Sequence, residues 1–372
     1  MNSLSKRLLF IVFLVLGSML VIAQTDSVVQ EIIFIGDAGE LKNNQHPLLN
    51  KLLQSQHSKN RKATALFFLG DNIYPAGLPD EQSRSYSRYK AILDTQWKIG
   101  QQLADQIYFI PGNHDWAKGH SNGWKQVKNQ GEYIQNLNFP NLFFLPADGC
   151  PGPEERNLTD QLTFIIMDSQ WWLQQTEKPG ISSGCDCKTE DEVLFRLQEI
   201  LYRNREKTIL FLSHHPFVSS GIHGGYYQFR QHVFPLTEIN PKLYIPLPLI
   251  GSIYPIVRGG FGNIQDNKHP AYKNMSSRID SLLTYHGRVL RFAGHEHGLQ
   301  HIRLNNQHYI VSGAGSKATR HKKNTVDHIS FSTTGYAKLQ WFRDGTLQLV
   351  FMKADEENHL EVYRQEIPLP KT

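Results

Sequence analysis

Five short apolar segments, each followed at once by a turn that carries polar side chains, most constrain how this chain can fold. Apolar runs of this length, bounded by Gly or Pro, are typical of strands that are buried on both faces of a sheet. Ligands of such sheets bind beyond the carboxyl ends of the strands, so the five turns are expected to meet in one crevice. The segments are 32–35 before Gly36-Asp37-Ala38-Gly39, 65–69 before Gly70-Asp71-Asn72-Ile73-Tyr74, 107–110 before Pro111-Gly112-Asn113-His114-Asp115, 209–212 before Ser213-His214-His215-Pro216, and 289–293 before Gly294-His295-Glu296-His297.

Helical patterns lie between these strands. Apolar residues recur at helical spacing over 46–56 and 83–104. Thr189 and Glu192 form the pattern of a capping box, which predicts a helix through about Asn204. Strands that alternate with helices predict an α/β fold, with crossovers that cover the sheets.

Further strands are predicted outside the five segments. Residues 164–167 resemble a sixth core strand, and Asp168 behind it is expected to hydrogen-bond turn backbone. Residues 336–342 and 347–352 flank an Asp-Gly turn and predict a β-hairpin, with a further edge strand over 360–367. These antiparallel strands complete a second sheet, so we expect an α/β (α+β) two-sheet β-sandwich core flanked by helices.

The N-terminal segment has the pattern of a secretory signal peptide. Lys6 and Arg7 precede an apolar run over 8–23, and polar residues follow a short stretch of small ones. The run is somewhat short for a spanning helix, which needs about 20 apolar residues. We therefore predict that residues 1–23 are cleaved and the protein is secreted or periplasmic. The alternative is an uncleaved membrane anchor with the functional part outside.

The remaining residues, 24–372, are predicted to form a single domain, because polar residues from Asp37 to His297 must converge. The formal net charge is +5, and the one basic cluster, 320–323, is short. A solvated turn explains this cluster better than a nucleic-acid partner, which is not expected. Three cysteines allow at most one disulfide, from Cys150 to Cys185 or Cys187, and no chemistry is assigned to them.

The polar residues at the strand ends are the ligands that two metal ions would need. Phosphate esters resist attack, and two cations about 3.5–4 Å apart neutralise the phosphate and generate hydroxide near neutral pH. Asp71 is expected to bridge the ions. Tyr74 binds only as phenolate, which favours Fe(III), whereas the histidines suit a divalent ion, Fe, Zn or Mn. Asn113 is a neutral donor that limits the charge at the second metal.

Taken in order, the five turns resemble the five motif blocks of the calcineurin-like metallophosphoesterases. The Gly-Asp-Asn-x-Tyr block looks most like the tartrate-resistant, mammalian-type purple acid phosphatases, and the resemblance covers about residues 32–317. It implies an αββα fold. At position 38 this chain has Ala, whereas this branch of the family usually has Trp. The resemblance assigns Asp37, Asp71, Tyr74 and His297 to the ferric ion, and Asp71, Asn113, His214 and His295 to the divalent ion.

The resemblance also implies two catalytic histidines, His114 at the phosphate and His223 near the leaving group. The residues themselves agree, since an imidazolium can stabilise phosphoryl oxygens or protonate a leaving alkoxide. Asn113, His114 and His215 are candidate substrate-binding residues, although His215 could simply pack. Glu296 is expected to orient a neighbouring histidine ligand.

Residues 226–273 read as an insertion between the His214 and His295 blocks, rich in proline, glycine and aromatic residues. Two interpretations are open. The insertion forms a lid or wall over the site that sets substrate specificity, or it packs on the flank of the domain.

The sequence therefore predicts an exported enzyme with a binuclear metal site. The enzyme would hydrolyse small-molecule phosphomonoesters through a metal-bound hydroxide. A phosphodiesterase or nucleotide pyrophosphatase with the same metals is the alternative. A second alternative is an inactive metal-containing binding protein.

Overall fold

The computed structural model describes residues 28–57, 63–226, 233–234, 236, 243–247 and 262–368. The predicted signal peptide lies outside these ranges, as does most of the predicted insertion, so both remain predictions. None of the helices within the described ranges is long and apolar enough to cross a bilayer.

Two sheets of seven strands each form the centre of the described structure. In sheet 1 the strand order is β14-β13-β12-β1-β2-β3-β4, with β1 to β4 parallel and β12 to β14 antiparallel. Its strands are β1 Val28–Ile35, β2 Ala63–Leu69, β3 Ala104–Ile110, β4 Leu142–Phe144, β12 Gly335–Phe342, β13 Leu347–Ala354 and β14 His359–Glu366.

Sheet 2 has the order β11-β9-β10-β8-β7-β6-β5, in which β6, β7, β8 and β10 are parallel neighbours. The antiparallel strands β5, β9 and β11 complete it. Its strands are β5 Glu154–Asn157, β6 Leu162–Ile166, β7 Thr208–Leu212, β8 Val289–Ala293, β9 Leu299–Leu304, β10 Gln307–Ser312 and β11 His328–Phe331.

Aromatic side chains join the two sheets face to face. Phe34 of sheet 1 stacks on Phe292 of sheet 2 with ring centroids 3.8 Å apart, and Phe67 meets Phe164 edge-on at 5.0 Å. These rings are buried in one apolar cluster between the sheets. Burial of about 150–250 Å² for each ring makes this layer a large part of the hydrophobic stabilisation.

Helices cover the outer faces of both sheets. Sheet 1 is covered by α1 to α3 and sheet 2 by α4 to α6. The helices are α1 Pro47–His57, α2 Tyr86–Leu103, α3 Gly123–Asn136, α4 Ser169–Leu173, α5 Glu190–Arg203 and α6 Pro270–His286. The predicted two-sheet core flanked by helices is confirmed.

The predicted helices and strands agree with this structure except at their first and last residues. The helix predicted to begin at residue 83 begins at Tyr86, because Ser83 and Ser85 form the preceding turn. The Thr189 hydroxyl accepts the Glu192 amide at the start of α5. Asp168 accepts the backbone amides of the first turn of α4, as expected.

A disulfide joins Cys150 to Cys185, while Cys187 is free and buried.

The carboxyl ends of the central strands of both sheets meet at one edge of the sandwich. The Gly36 amide donates to the Ser312 carbonyl at 2.7 Å, and the Asp37 amide donates to the Gly70 carbonyl at 3.0 Å. A Cβ at Gly36 would lie 2.8 Å from the Gly294 Cα, so only glycine allows the two sheets to approach this closely. The turns after β1, β2, β3, β7 and β8 therefore lie together.

Candidate metal centre

Three of the predicted ligands have an unusual backbone conformation. Asp37, Asp71 and His295 have φ angles of 58°, 54° and 66°, in the left-handed region that is unfavourable for residues other than glycine. Hydrogen bonds to their neighbours hold these turns, since the His295 amide donates to Asp37 Oδ2 at 2.7 Å. Such strained residues cluster at functional sites.

Asp115 ties the turns of β2 and β3 to each other. Its carboxylate is buried and accepts the backbone amides of Gly112 at 2.8 Å, Asn72 at 3.1 Å and Ile73 at 3.2 Å. Burial and the nearby charge of Asp71 raise the pKa of Asp115, which these amides oppose. Sequence reasoning gave Asp115 no role, although it closes the Gly-Asn-His-Asp motif.

One group of donor atoms comprises Asp37, Tyr74 and His297. The Tyr74 hydroxyl lies 2.9 Å from Asp37 Oδ1 and 3.2 Å from His297 Nε2, which is itself 3.3 Å from Asp37 Oδ1. Burial, followed by the charges of Asp37 and Asp71, raises the pKa of Tyr74 well above its ordinary value. The phenolate that a metal would bind therefore forms only when a strong Lewis acid is present.

A second group comprises Asn113, His214 and His295. Asn113 Oδ1 lies 3.0 Å from His214 Nε2 and 3.1 Å from His295 Nδ1, and these two nitrogens are 3.3 Å apart. The opposite ring nitrogens face backbone carbonyls. His214 Nδ1 lies 2.8 Å from the Leu69 carbonyl, and His295 Nε2 lies 2.8 Å from the Gln265 carbonyl.

Asp71 contacts the second group, and its charge reaches the first. Its Oδ1 lies 3.4 Å from His214 Nε2, and its charge acts on Tyr74 of the first group. Burial alone would raise the pKa of Asp71, but the rings of His114 and His214 and the His114 amide lower it to about 2. An ionised carboxylate in this position fits the bridging role predicted for it.

The donor atoms of the second group are better placed to coordinate a metal ion than to hydrogen-bond one another. Carbonyl oxygens only accept, so the ring nitrogens of His214 and His295 that face carbonyls carry the hydrogens. In the neutral rings, the two nitrogens that face Asn113 Oδ1 are lone pairs. In this neutral form three lone pairs within 3.3 Å of one another repel, and either a metal ion between them or a proton on one ring removes that repulsion. His–carbonyl contacts of this kind also orient metal-binding histidines in known sites.

His114, His223 and His297 are the site histidines that reach the surface, with side chains 20–21% exposed. His114 Nδ1 lies 2.7 Å from the Pro75 carbonyl, and its Nε2 lies 3.8 Å from Asp71 Oδ2. Burial is the main cause that lowers the pKa of His114, although the charge of Asp71 opposes it.

His223 lies beside the second group, with its ring centroid 4.0 Å from that of His295. Its Nδ1 contacts Asp266 Oδ1 at 2.8 Å, and its amide donates to Glu296 Oε2 at 2.9 Å. His114 and His223 therefore flank the donor groups, His114 on the Asp71 side and His223 on the His295 side.

His215 is buried and does not face the surface. Its Nδ1 lies 2.8 Å from Ser169 Oγ, and its Nε2 lies 2.6 Å from Gln265 Oε1. Burial and the neighbouring His214 lower its pKa well below the ordinary value. Direct substrate binding by His215 stays a prediction, and the geometry favours a role in holding the segment around Gln265.

Two acidic residues act differently from the sequence interpretation. Glu296 does not hydrogen-bond a histidine ligand ring; it accepts from Ser219 Oγ and from the amides of Ile222 and His223. It therefore holds the loop that carries His223. Asp266, the partner of His223, was not predicted, because it lies in the apparent insertion without a recognisable motif.

Residues 31–245 match the sequence profile of the calcineurin-like phosphoesterases. Curated protein sequences contain no significant match to this chain. Among solved structures, one similar protein is GAP50, "the anchor in the inner membrane complex of Plasmodium", with a TM-score of 0.58 and 15% identity, covering 93% of this chain and 90% of that one.

Purple acid phosphatase PPD1 from yellow lupin seeds has a TM-score of 0.52 and 14% identity, covering 92% of this chain and 54% of that one. PhoD has a TM-score of 0.50 and 10% identity, covering 91% and 73% of the two chains. At these identities the likeness shows the fold alone. The sequence profile, however, spans more than half of the chain, so this protein belongs to the calcineurin-like phosphoesterase family.

Proposed function

We propose that this protein is an exported phosphomonoesterase of the acid-phosphatase type. Membership of the family supports a phosphoester hydrolase and implies a binuclear metal site. The observation that carries the proposal is the convergence of Asn113 Oδ1, His214 Nε2 and His295 Nδ1 beside an ionised Asp71. A metal ion between these donors would be held by all of them at once, as nitrogen and oxygen ligands hold divalent ions in proteins.

In this proposal Fe(III) binds to Asp37, Tyr74 and His297, and a divalent ion (Fe, Zn or Mn) binds to Asn113, His214 and His295. Asp71 would be the ligand shared by the two ions. Bound cations of this kind neutralise the phosphate and lower the pKa of a coordinated water. The Tyr74 side chain supports the ferric assignment, since it binds a metal only as phenolate, a ligand that favours Fe(III).

The histidines at the surface of the site supply the rest of the proposed chemistry. His114 Nε2 lies on the Asp71 side, and in the imidazolium form, with Nδ1–H on the Pro75 carbonyl, it would donate to a phosphoryl oxygen. His223, fixed by Asp266 and Glu296, would donate a proton to the leaving alkoxide. In the same proposal Asn113 also contacts the phosphate.

Export is part of the proposal. The disulfide from Cys150 to Cys185 supports it, because disulfides persist in oxidising compartments outside the cytosol. Cleavage after residue 23 would release the protein, and retention of the apolar run would anchor it. N-terminal sequencing of the mature protein distinguishes the two.

Metal analysis with a visible spectrum, followed by turnover of an aryl phosphate and its bis-aryl diester, tests the function. We expect two metals per chain, absorption from a Tyr74–Fe(III) pair, and faster hydrolysis of the monoester.

Asn113→Ala should lower hydrolysis by on the order of a hundredfold, as loss of groups that support a metal site does. Preference for the diester would favour a phosphodiesterase. Two bound metals without hydrolysis of either ester would favour a binding protein, a role closer to the one printed for GAP50.

A further inference from the structure

Helix α5 presents a row of exposed side chains at the spacing of a helix-pairing seam. The buried side of the same helix, which includes Val193, Leu197 and Ile200, packs in the core beneath it. The exposed row repeats at alternating intervals of four and three residues, which is the spacing of the two seam positions in a coiled-coil heptad. This seam comprises Asp191, Phe195, Gln198, Tyr202 and Arg205. Helix α5 therefore has a second face that could pair with another helix.

Aromatic rings form the middle of this surface. Phe195 is 64% exposed and Tyr202 is 72% exposed, and Tyr285 of the neighbouring α6 is 96% exposed. Together with Ser281 and Leu282 of α6, these rings line one groove of about 940 Å³ between the two helices. The three rings present on the order of 500 Å² to water, a patch of the size that often serves in binding.

The two ends of α5 carry opposite charge. Its first turn contains Glu190, Asp191 and Glu192. Arg203 lies in its last turn and Arg205 in the turn directly after it. A partner that covers the whole seam must therefore offer positive charge at one end, negative charge at the other and apolar surface between them.

Both charged ends of the seam still face solvent. Asp191 binds Arg278 of α6, yet the Asp191 side chain is 88% exposed. The Arg205 amide donates to the Tyr202 carbonyl at 3.4 Å, and the guanidinium carbon of Arg205 lies 5.5 Å from the centroid of the Tyr202 ring. Arg205 therefore lies on the seam beside Tyr202, with its side chain 62% exposed.

The seam is complementary to a second copy of itself in one orientation. When the second α5 runs antiparallel, Asp191 faces Arg205 of the other copy at both ends. In the same register Phe195 faces Tyr202 of the other copy, and Gln198 faces its own counterpart at the two-fold axis. A parallel arrangement would instead bring Asp191 against Asp191 and Arg205 against Arg205.

We propose that the seam of α5, with the groove beside α6, is the interface of an antiparallel homodimer. Each partner of a specific dimer buries about 800 Å². The three rings supply the greater part of this area, and the charged and polar side chains around them form the rim. None of the seam residues is a proposed metal ligand or catalytic histidine, so the dimer does not depend on the proposed function.

Sedimentation velocity of the purified protein between about 1 and 100 μM tests the pairing, since interfaces of this size associate with micromolar or tighter affinity. We expect a dimer at the upper end of this range. Phe195→Ser should weaken the association at least about tenfold, because aromatic residues at the centre of an interface contribute most of its affinity. Val326→Ser is the matched control, since it removes an apolar side chain that is 82% exposed before β11 and should leave the association unchanged. A monomer throughout the range, or equal association of Phe195→Ser and the wild-type protein, would overturn the dimer.

Exchange of charges tests the antiparallel register. Asp191→Lys alone and Arg205→Glu alone should each weaken the association about tenfold, because each homodimer then places like charges together at both ends. An equimolar mixture of the two variants should recover the wild-type affinity, since position 191 of one variant then faces position 205 of the other with opposite charge. Far-UV circular dichroism of each variant checks the fold. Folded variants whose mixture associates no better than either variant alone would overturn the proposed pairing.

Discussion

At the residue scale, two of the proposed ligand histidines, His214 and His295, are oriented by backbone carbonyls. The Leu69 carbonyl belongs to the end of a central strand, so the His214 ring is fixed by the sheet itself. His295 depends instead on the carbonyl of Gln265, whose side chain also contacts His215. The geometry of the second donor group therefore depends on the segment before α6 as well as on the strands.

Glu296 offers a test of the loop that carries His223. Glu296→Gln should lower kcat between about ten- and a hundredfold, because one amide group cannot accept from Ser219, Ile222 and His223 together, and a displaced general acid loses part of its effect. The loss should be larger for an alkyl phosphate than for 4-nitrophenyl phosphate, whose leaving group needs little protonation. Kinetics on both esters and metal analysis measure it.

Ser219→Ala is the matched control for this loop, because it removes one hydroxyl and leaves both amides bound to the carboxylate. Its kcat should stay within about threefold of wild type, because the two amide contacts that hold the loop of His223 remain. An equal loss on both esters in Glu296→Gln, or loss of metal, would show that Glu296 supports the metal centre and not His223.

At the element scale, the disulfide closes a loop of 35 residues around β5, β6 and α4. We expect Cys150→Ser/Cys185→Ser to lower the free energy of unfolding by about 3–4 kcal/mol, because the unfolded chain regains the entropy that the cross-link removes. Denaturant unfolding of both proteins without reductant measures the difference. With reductant the wild-type protein should approach the double variant, and equal stability in both conditions would contradict the prediction.

The central strands were predictable from the sequence, while several edge elements were not. The carboxyl-terminal residues of β1, β2, β3 and β7 are buried on both faces and apolar, and the buried Arg291 is the polar exception in the apolar run of β8. By contrast, β5 is formed by Glu154–Asn157, charged and polar residues that have low strand propensity. Backbone pairing with β6 makes it a strand, and the Arg203 guanidinium donates to the Glu155 carboxylate beside it.

The residues of the candidate site also divide into those that the sequence predicts and those that it does not. Residues directly behind a buried strand, such as Asp71 and His214, were predictable because the strand fixes where they point. Asp266 was not, because its contact with His223 depends on tertiary packing of a segment without periodicity.

At the scale of the whole molecule, the proposed metal centre exists only when the two sheets are packed together. Asp37, Tyr74 and Asn113 follow strands of sheet 1, whereas His214 and His295 follow strands of sheet 2. Metal binding should therefore stabilise the packed sandwich relative to any state in which the sheets separate.

Removal of metal tests this coupling. Chelation should lower the Tm, and metal at about 100 times its Kd should restore about 2.7 kcal/mol of stability, because only the folded state offers the complete donor set. Thermal unfolding at several metal concentrations measures it. In Asn113→Ala the dependence on metal should be weaker, and a Tm that does not change with metal in the wild-type protein would contradict the coupling.

The stability of the whole fold should also depend on pH through two histidines far from the metal centre. His301 lies between the Tyr363 hydroxyl and His308, at 2.9 Å from each, and burial lowers the pKa of His301 to about 3 and that of His308 to about 4. Below pH 6.5 the unfolded chain binds protons at these rings and the folded protein does not, so stability is lost as the pH falls from 6.5 towards 4. Each histidine contributes about 1.4 kcal/mol per pH unit in this range.

We expect the metal-free His301→Gln/His308→Gln variant to lose stability less steeply between pH 6 and 5 than the metal-free wild-type protein. Denaturant unfolding at each pH measures both slopes. His120→Gln, at an exposed position, should keep the wild-type slope, and an equal slope in the double variant would show that other groups govern the acid sensitivity.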